Sequence, residues 1–335
     1  MRKLLLLTAF VMSFAGSALA EGIPIKFTLD WKIQGVHGWF YLAKQKGYFA
    51  AEGLDVTIDQ GEGPAATVSR IMSGAYDACF GDMNAIIQNA ATKPDEAPVM
   101  VYQIYNQPPF AVLTKTGGPV KNLKSLEGLT VGAPPGSAST KLFPALATAA
   151  GFDAGKVKLL SVQKNLQEQM LIQDQVSASL VFNVTSYLNI IGIGMDPEKD
   201  FTWYPYGASG LDIYSNGVMV SPKLLKNKPE AVQGLVNAIA KAMADVLANP
   251  QEGIDIITAT EPLSNGKLEM KRLQFALNNL IFSKESKANG IGAVDTGRLT
   301  RSINTIKKLY NLTGTPKAED VFNASFLPPM AKRSF

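Results

Sequence analysis

Short β-branched runs alternate with amphipathic stretches along most of this chain. Ile25-Lys26-Phe27-Thr28-Leu29 alternates in polarity and predicts a strand. Gly38 to Gly47 carries Phe40, Leu42 and Ala43 at helical spacing, with Gly47 as a natural stop. Leu54-Asp55-Val56-Thr57-Ile58 reads as the next strand. Gly63-Pro64 opens a helix from Ala65 to Ser73 with Val68, Ile71 and Met72 inward. Tyr76 to Phe80 is a third strand, Ala85 to Ala91 a helix and Pro98 to Tyr105 a fourth strand. This βαβαβ rhythm predicts a parallel sheet.

Pro108 to Leu113 then leaves this first unit, and Gly117-Gly118-Pro119 marks a turn. A second series follows: strand Leu129 to Gly132, helix to Ala150, strand Val157 to Val162, helix Asn165 to Asp174, strand Val176 to Phe182, helix Thr185 to Ile191. Tyr204 to Gly207 and Ile213 to Val220 carry the chain back. Pro229 begins a long amphipathic helix with Val232, Leu235, Val236, Ile239, Met243, Val246 and Leu247 in one stripe, stopped by Asn249-Pro250. The remainder is helical and Lys-rich and is expected to wrap back on the first lobe. Beyond these helices, nothing functional is read in residues 251–335.

Arg2 and Lys3, an apolar stretch and Ala18-Leu19-Ala20 have the form of a secretory signal peptide over residues 1–20, cleaved after Ala20. The apolar run is shorter than the roughly 20 residues a membrane span needs, and no later run is read as long enough. No Cys follows the cleavage site, so a free periplasmic protein is expected. Without Arg2 and Lys3, basic residues number 30 against 28 acidic ones, a net of +2. That balance gives no reason to expect nucleic acid or an anionic membrane as partner. Cys79 is the single cysteine, which excludes an internal disulfide and reads as a buried small hydrophobe.

Asp30-Trp31, His37, Lys46-Gly47-Tyr48-Phe49 and Glu52-Gly53-Leu54-Asp55-Val56 occur in the order found in a known family. This run resembles the opening of periplasmic solute-binding proteins of ABC importers, of the thiamine-pyrimidine-precursor and alkanesulfonate-binding type. Lys32-Ile33-Gln34-Gly35 departs from the family's usual Pro- and Asn-rich loop. The resemblance implies an α/β, two-lobed type II (venus flytrap) fold, each lobe a mainly parallel sheet flanked by helices. Lobe 1 would comprise residues 21–112 and 213–335, and lobe 2 residues 113–212. It also implies a monomer that hands a small molecule to an inner-membrane permease and ATPase, with no cofactor and no metal.

In open α/β sheets, ligands sit beyond the carboxyl ends of the strands, which nominates particular side chains. Asp30, Glu62 and Asp82 can accept hydrogen bonds from amino or ring N–H groups, and His37 is the only histidine. Trp31 offers a stacking plate or an ordinary core aromatic. Tyr105, Tyr187 and Tyr214, with Phe182 and Tyr206, offer aromatic walls, and Asn84, Asn183 and Asn216 polar probes. Gly136, Ser137, Ser139 and Thr140 open a helix, where they serve as an anion or carbonyl site or as a plain N-cap. Related proteins place ligand contacts at this Gly-Ser loop. Arg70, Arg272, Arg298, Arg301 and Arg333 lie in no predicted cleft loop, which argues against strongly anionic ligands.

A lone His with one nearby Asp is a poor metal site, and no nucleophile elbow or Walker pattern is present. The resemblance extends to fungal pyrimidine synthases of the same fold. Their Lys and His fall on Gly81 and Ala85 here, and their Cys-rich segment on Tyr206 to Asn216, which holds no Cys. An enzyme is therefore disfavoured. A binding protein for a heteroaromatic, pyrimidine-like solute is favoured over one for a sulfonate, taurine or nitrate-type anion. A sensor that docks on a receptor kinase stays open as a third role.

Overall fold

The structure, a computed structural model, describes residues 22–335, so the signal-peptide reading lies outside the described residues. Two five-stranded sheets organise the chain. The first contains β1 (Ile23–Thr28), β2 (Leu54–Asp59), β3 (Ala78–Asp82), β4 (Val99–Gln103) and β10 (Asn216–Val220), in the order β2-β1-β3-β10-β4. The second contains β5 (Phe110–Lys115), β6 (Thr130–Ala133), β7 (Lys158–Ser161), β8 (Ala178–Phe182) and β9 (Phe201–Pro205), in the order β7-β6-β8-β5-β9.

Each sheet is mainly parallel with one reversed strand: β10 runs against β3 and β4, and β5 runs against β8 and β9. The reversed strands are the ones that follow a crossing between sheets. The chain passes from the first sheet to the second through residues 104–109 and returns through residues 206–215. Phe110 to Val112 thus belong to the second sheet, whereas the lobe bounds implied by the resemblance place them in the first lobe. β9 had been read only as part of the return path. Its Pro205 carries no N–H, and its side chains are mostly half-buried, so it lacks the apolar run of its neighbours.

The helix Pro229–Ala248 is 20 residues long and apolar enough to cross a membrane by length and composition, contrary to the sequence reading that no later run qualifies. Its stripe of Val232, Leu235, Val236, Ile239, Met243 and Val246 is buried in the core of the first lobe. Cys79 is fully buried in β3, where loss of solvent raises its thiol pKa.

The C-terminal helices do more than wrap the first lobe. Thr296–Tyr310 packs on Met83–Thr92 of the first lobe and also on Ala138–Ala150 of the second, where Tyr310 Oη donates to the Lys141 carbonyl at 2.9 Å. Arg298, on the same helix, is 5% exposed and spends all five N–H groups on the two crossings and their neighbours. Its Nε donates to Asp212 at 2.8 Å, its Nη1 to Asn106 Oδ1 and Glu285, and its Nη2 to the carbonyls of Asn106 and Ile213. The guanidinium also lies 4.1 Å from the centroid of Tyr214.

Candidate functional site: a cavity between the lobes

A cavity opens between the lobes, at the carboxyl ends of strands from both sheets. Asp30, Trp31, Gln34, Val36, His37, Gly63 and Tyr105 line it from the first lobe. Pro134, Ser137, Ala138, Ser139, Lys164, Gln167, Phe182, Val184, Thr185 and Ser186 line it from the second.

The loop after β1 is held from two directions. Gly63 N donates to the Asp30 carbonyl at 2.8 Å and Gly61 N to the Trp31 carbonyl at 3.0 Å, which pins it to the loop after β2. Gly35 N donates to Glu269 Oε2 at 2.6 Å. A side chain at Gly35 would collide with the Glu269 backbone, so this approach requires glycine.

Asp30 is 5% exposed, and its two oxygens are held separately: Oδ1 by His37 Nε2 at 2.8 Å, Oδ2 by Asn216 Nδ2 at 2.7 Å. His37 Nδ1 accepts from Gln34 N at 3.1 Å. With Nδ1 as acceptor, the ring proton sits on Nε2 and points at the carboxylate, so His37 is the neutral tautomer. Both nitrogens are then occupied. The imidazole orients Asp30 and has no ring nitrogen left for a further hydrogen bond.

The opposite wall has the reverse polarity. The helices Ala138–Ala150 and Asn183–Gly192 both begin at the cavity. Ser137 Oγ caps Thr140 N at 3.2 Å, which leaves the N–H groups of Ala138 and Ser139 without intrahelical acceptors. In the second helix the same places are held by Asn183, whose N–H donates to the Pro109 carbonyl, and by Val184, which lines the cavity. Two positive helix ends therefore face a carboxylate across the cavity. Lys164 adds the ammonium on this wall, its pKa lowered by burial against the pull of Glu62. Gln167 Nε2 donates to the Lys164 carbonyl at 2.7 Å, and its buried Oε1 has no partner among the described residues.

Of the residues nominated from sequence, Asp30, Trp31, His37, Tyr105, Ser137 and Ser139 line the cavity, as does Phe182. The others do not. Asn216 stands behind Asp30. Glu62 points outward, its side chain 78% exposed and 3.5 Å from Arg70. Thr140 turns back to the Pro134 carbonyl, and Gly136, at φ +70°, forms the turn before the cap. Asn183 opens the helix after β8 with its N–H on the Pro109 carbonyl. Tyr187 faces Phe275 at 4.6 Å and donates to Glu198. Tyr214 donates to Glu285 and accepts from Asp295 N at the crossings. Asn84 donates to Asp82 and to the Tyr214 carbonyl.

Asp82 is buried beside these groups rather than in the cavity. Burial pushes its carboxyl pKa up to about 6, against the lowering effect of hydrogen bonds from Asn84 and Ser215. The native state thus holds a proton there that the unfolded chain releases near the usual carboxylate value. Stability is expected to fall as pH rises from about 4 to about 6, by at most ~3 kcal/mol from this group. Asp82→Asn should remove that fall and leave ligand affinity unchanged. Denaturant unfolding at pH 4.5 and 7 checks it; equal pH slopes in both proteins would refute the assignment.

Lys164, Gln167, Gln34, Gly63, Val36, Pro134, Ala138, Val184, Thr185 and Ser186 were not nominated. Most lie within a few residues of a strand end, so the strand-end rule applied to β7 and β8 would have found Lys164, Gln167 and Thr185. Residues 251–335 also contribute after all: Arg272 pairs with Glu269 at 3.0 Å, both buried, and reaches the Val184 carbonyl at 2.9 Å.

Two α/β lobes joined by two crossings, with a polar-ended cavity between them, define a two-lobed binding-protein fold. The alkanesulfonate-binding protein SsuA from Xanthomonas axonopodis pv. citri, solved bound to MOPS, superposes with a TM-score of 0.66 at 13% identity, over 89% of this chain and 96% of that one. The family model described as NMT1/THI5 like matches residues 34–253, and the chain belongs to that family. Among its relatives, the riboflavin-binding protein RibY of Chloroflexus aurantiacus is 24% identical over 296 residues, 86% of this chain and 82% of the relative. The formylaminopyrimidine-binding protein of Halalkalibacterium halodurans is 24% identical over 302 residues, 90% and 89%. A 4-amino-5-hydroxymethyl-2-methylpyrimidine phosphate synthase of Saccharomyces cerevisiae, THI11, is 26% identical over 259 residues, 75% of each.

Proposed function

We propose that this protein is the solute-binding component of an ABC importer, and that it captures a planar nitrogen heterocycle of the pyrimidine or flavin kind. The observation that carries the ligand class is the oriented Asp30 carboxylate facing two helix N-termini. A ring with N–H donors on one edge and carbonyl or ring-nitrogen acceptors on the other satisfies both walls. Gln167 Oε1 supplies a further acceptor, and Trp31, Tyr105 and Phe182 supply flat apolar surface. The riboflavin- and formylaminopyrimidine-binding relatives support this class. The binding-protein relatives and the two-lobed fold support delivery to a permease from the periplasm.

An anion of the sulfonate type has Lys164 and the helix ends in its favour, and Asp30 against it. A synthase is supported by the yeast relatives, but the positions aligned with its Lys and His are Gly81 and Ala85. Thr67 packs where a side chain at Gly81 would lie.

Thermal and calorimetric titration against a formylaminopyrimidine, riboflavin, taurine and alkanesulfonates tests the reading. Ligand at a hundredfold excess over Kd should add about 2.7 kcal/mol of stability. Response to sulfonates alone would overturn the heterocycle. Trp31→Ala is expected to weaken a heteroaromatic ligand by about 1–3 kcal/mol, the scale of base-stacking losses. Unchanged affinity by calorimetry would place Trp31 outside the contact.

A further inference from the structure

We propose that Lys164 is the releasable clasp of the cleft, the side chain that sets how long a ligand stays inside. This rests on the solute-binding reading above.

Lys164 belongs to the second lobe, in the loop after β7, yet its polar partners lie on the first. Its Nζ donates to the Glu62 carbonyl at 2.7 Å and stands 5.0 Å from the centroid of the Trp31 ring. Both partners lie on loops that follow strands of the first sheet, and Trp31 lines the cavity. The approach is permitted by Gly63, at φ +132°, where a Cβ would lie 2.6 Å from Lys164 Nζ. Sequence and shape therefore agree that the lysine head seats against main chain and aromatic face of the opposing lobe.

Other ties cross between the lobes, the Tyr310 bond to the Lys141 carbonyl and that of Arg272 among them, and the contrast with Arg272 shows why Lys164 is the one that releases. Arg272 donates to the carbonyls of Val184 and Thr185, and it is 3% exposed with its charge matched by Glu269. Breaking that tie would strand a buried ion pair. Lys164 is half-buried and has no carboxylate within ion-pair distance among the described residues. It hydrogen-bonds to a neutral carbonyl, so an ammonium that leaves for water gives up one charged hydrogen bond and strands no buried counter-charge. Being both a cavity wall and the tie, it couples occupancy to closure: an acceptor on the ligand beside Trp31 adds a bond to the same ammonium and holds the lobes together longer.

Lys164→Met keeps the stem and removes the charge and donor; Lys164→Arg keeps both. Riboflavin and a formylaminopyrimidine are the probes. The dissociation rate, from a stopped-flow chase, should rise about tenfold or more in Lys164→Met, the scale of one charged hydrogen bond expressed in the off-rate. Lys164→Arg should restore most of it. Small-angle scattering of each protein without any probe should show a larger radius of gyration for Lys164→Met than for the wild type. That measurement needs no ligand: probes that fail to bind, with a radius that still grows, would sink the heterocycle and keep the clasp. An unchanged dissociation rate together with an unchanged radius would overturn the clasp. Gly63→Ala, which crowds the lysine head from the other lobe, should shift both readouts in the direction of Lys164→Met, and no shift would count against the contact.

Discussion

Asp30→Ala should weaken binding of a heterocyclic ligand by one to two orders of magnitude or more, since each charged hydrogen bond contributes roughly 1.5–3 kcal/mol. The same substitution should tighten a sulfonate, because it removes the negative charge that opposes an anion among the cavity walls. Opposite signs for the two ligand classes make calorimetry decisive: a loss of sulfonate affinity in the variant would end the argument from charge. Asp30→Asn is the companion. His37 cannot move its proton to Nδ1 without losing the Gln34 N–H, so it must keep donating through Nε2. Asn216 donates from the other side, and an amide at position 30 can accept fully from only one of them without rearrangement. The neutral isostere is therefore expected to lose affinity for the heterocycle as well, and to lose stability on the order of 1–3 kcal/mol for the unpaired buried donor.

Arg298→Met should be the most damaging single change outside the cavity. It leaves Asp212, Glu285 and the carbonyls of Asn106 and Ile213 without their shared donor, and loss of one partner from a buried charged network costs about 3–5 kcal/mol. Arg298→Lys retains the charge but has three donors where five acceptors wait, so it should recover only part of that. Urea unfolding of the three proteins measures the effect. A loss under ~1 kcal/mol, the range of exposed ion pairs, would show that the network does not hold the crossings.

The part of the cavity built by β1 was readable because its chemistry lies in one short stretch. Asp30, Trp31 and His37 are close in sequence and follow an alternating strand. Tyr105 and the Ser137 turn were reachable by the same rule. For His37 the sequence leaves a ligand contact and a purely structural role both open, because it shows which groups are near and not which nitrogen is occupied; the Gln34 N–H fixes the tautomer. Asn216 was picked for a wall and proved to stand one layer behind it, because β10 runs antiparallel and brings its first residue to Asp30 rather than to the cavity. Lys164 and Gln167 escaped notice for a different reason. The strand before them is legible over Val157 to Val162, but β7 is an exposed edge strand whose four residues all face solvent, so nothing marks its end as a cavity wall. Arg272 and Arg298 could not be placed at all, since the carbonyls of Val184 and Ile213 that they reach lie more than 80 residues away in the chain.

Cys79 gives the molecule a practical use. It is the single thiol, it is fully enclosed in β3, and its raised pKa keeps it from forming the reactive thiolate. Any cysteine placed on the surface can accordingly be labelled alone. An environment-sensitive dye on Gln163→Cys, an exposed position beside Lys164, would convert closure of the cleft into an optical signal. The protein would then serve as a sensor for its own solute in crude extracts.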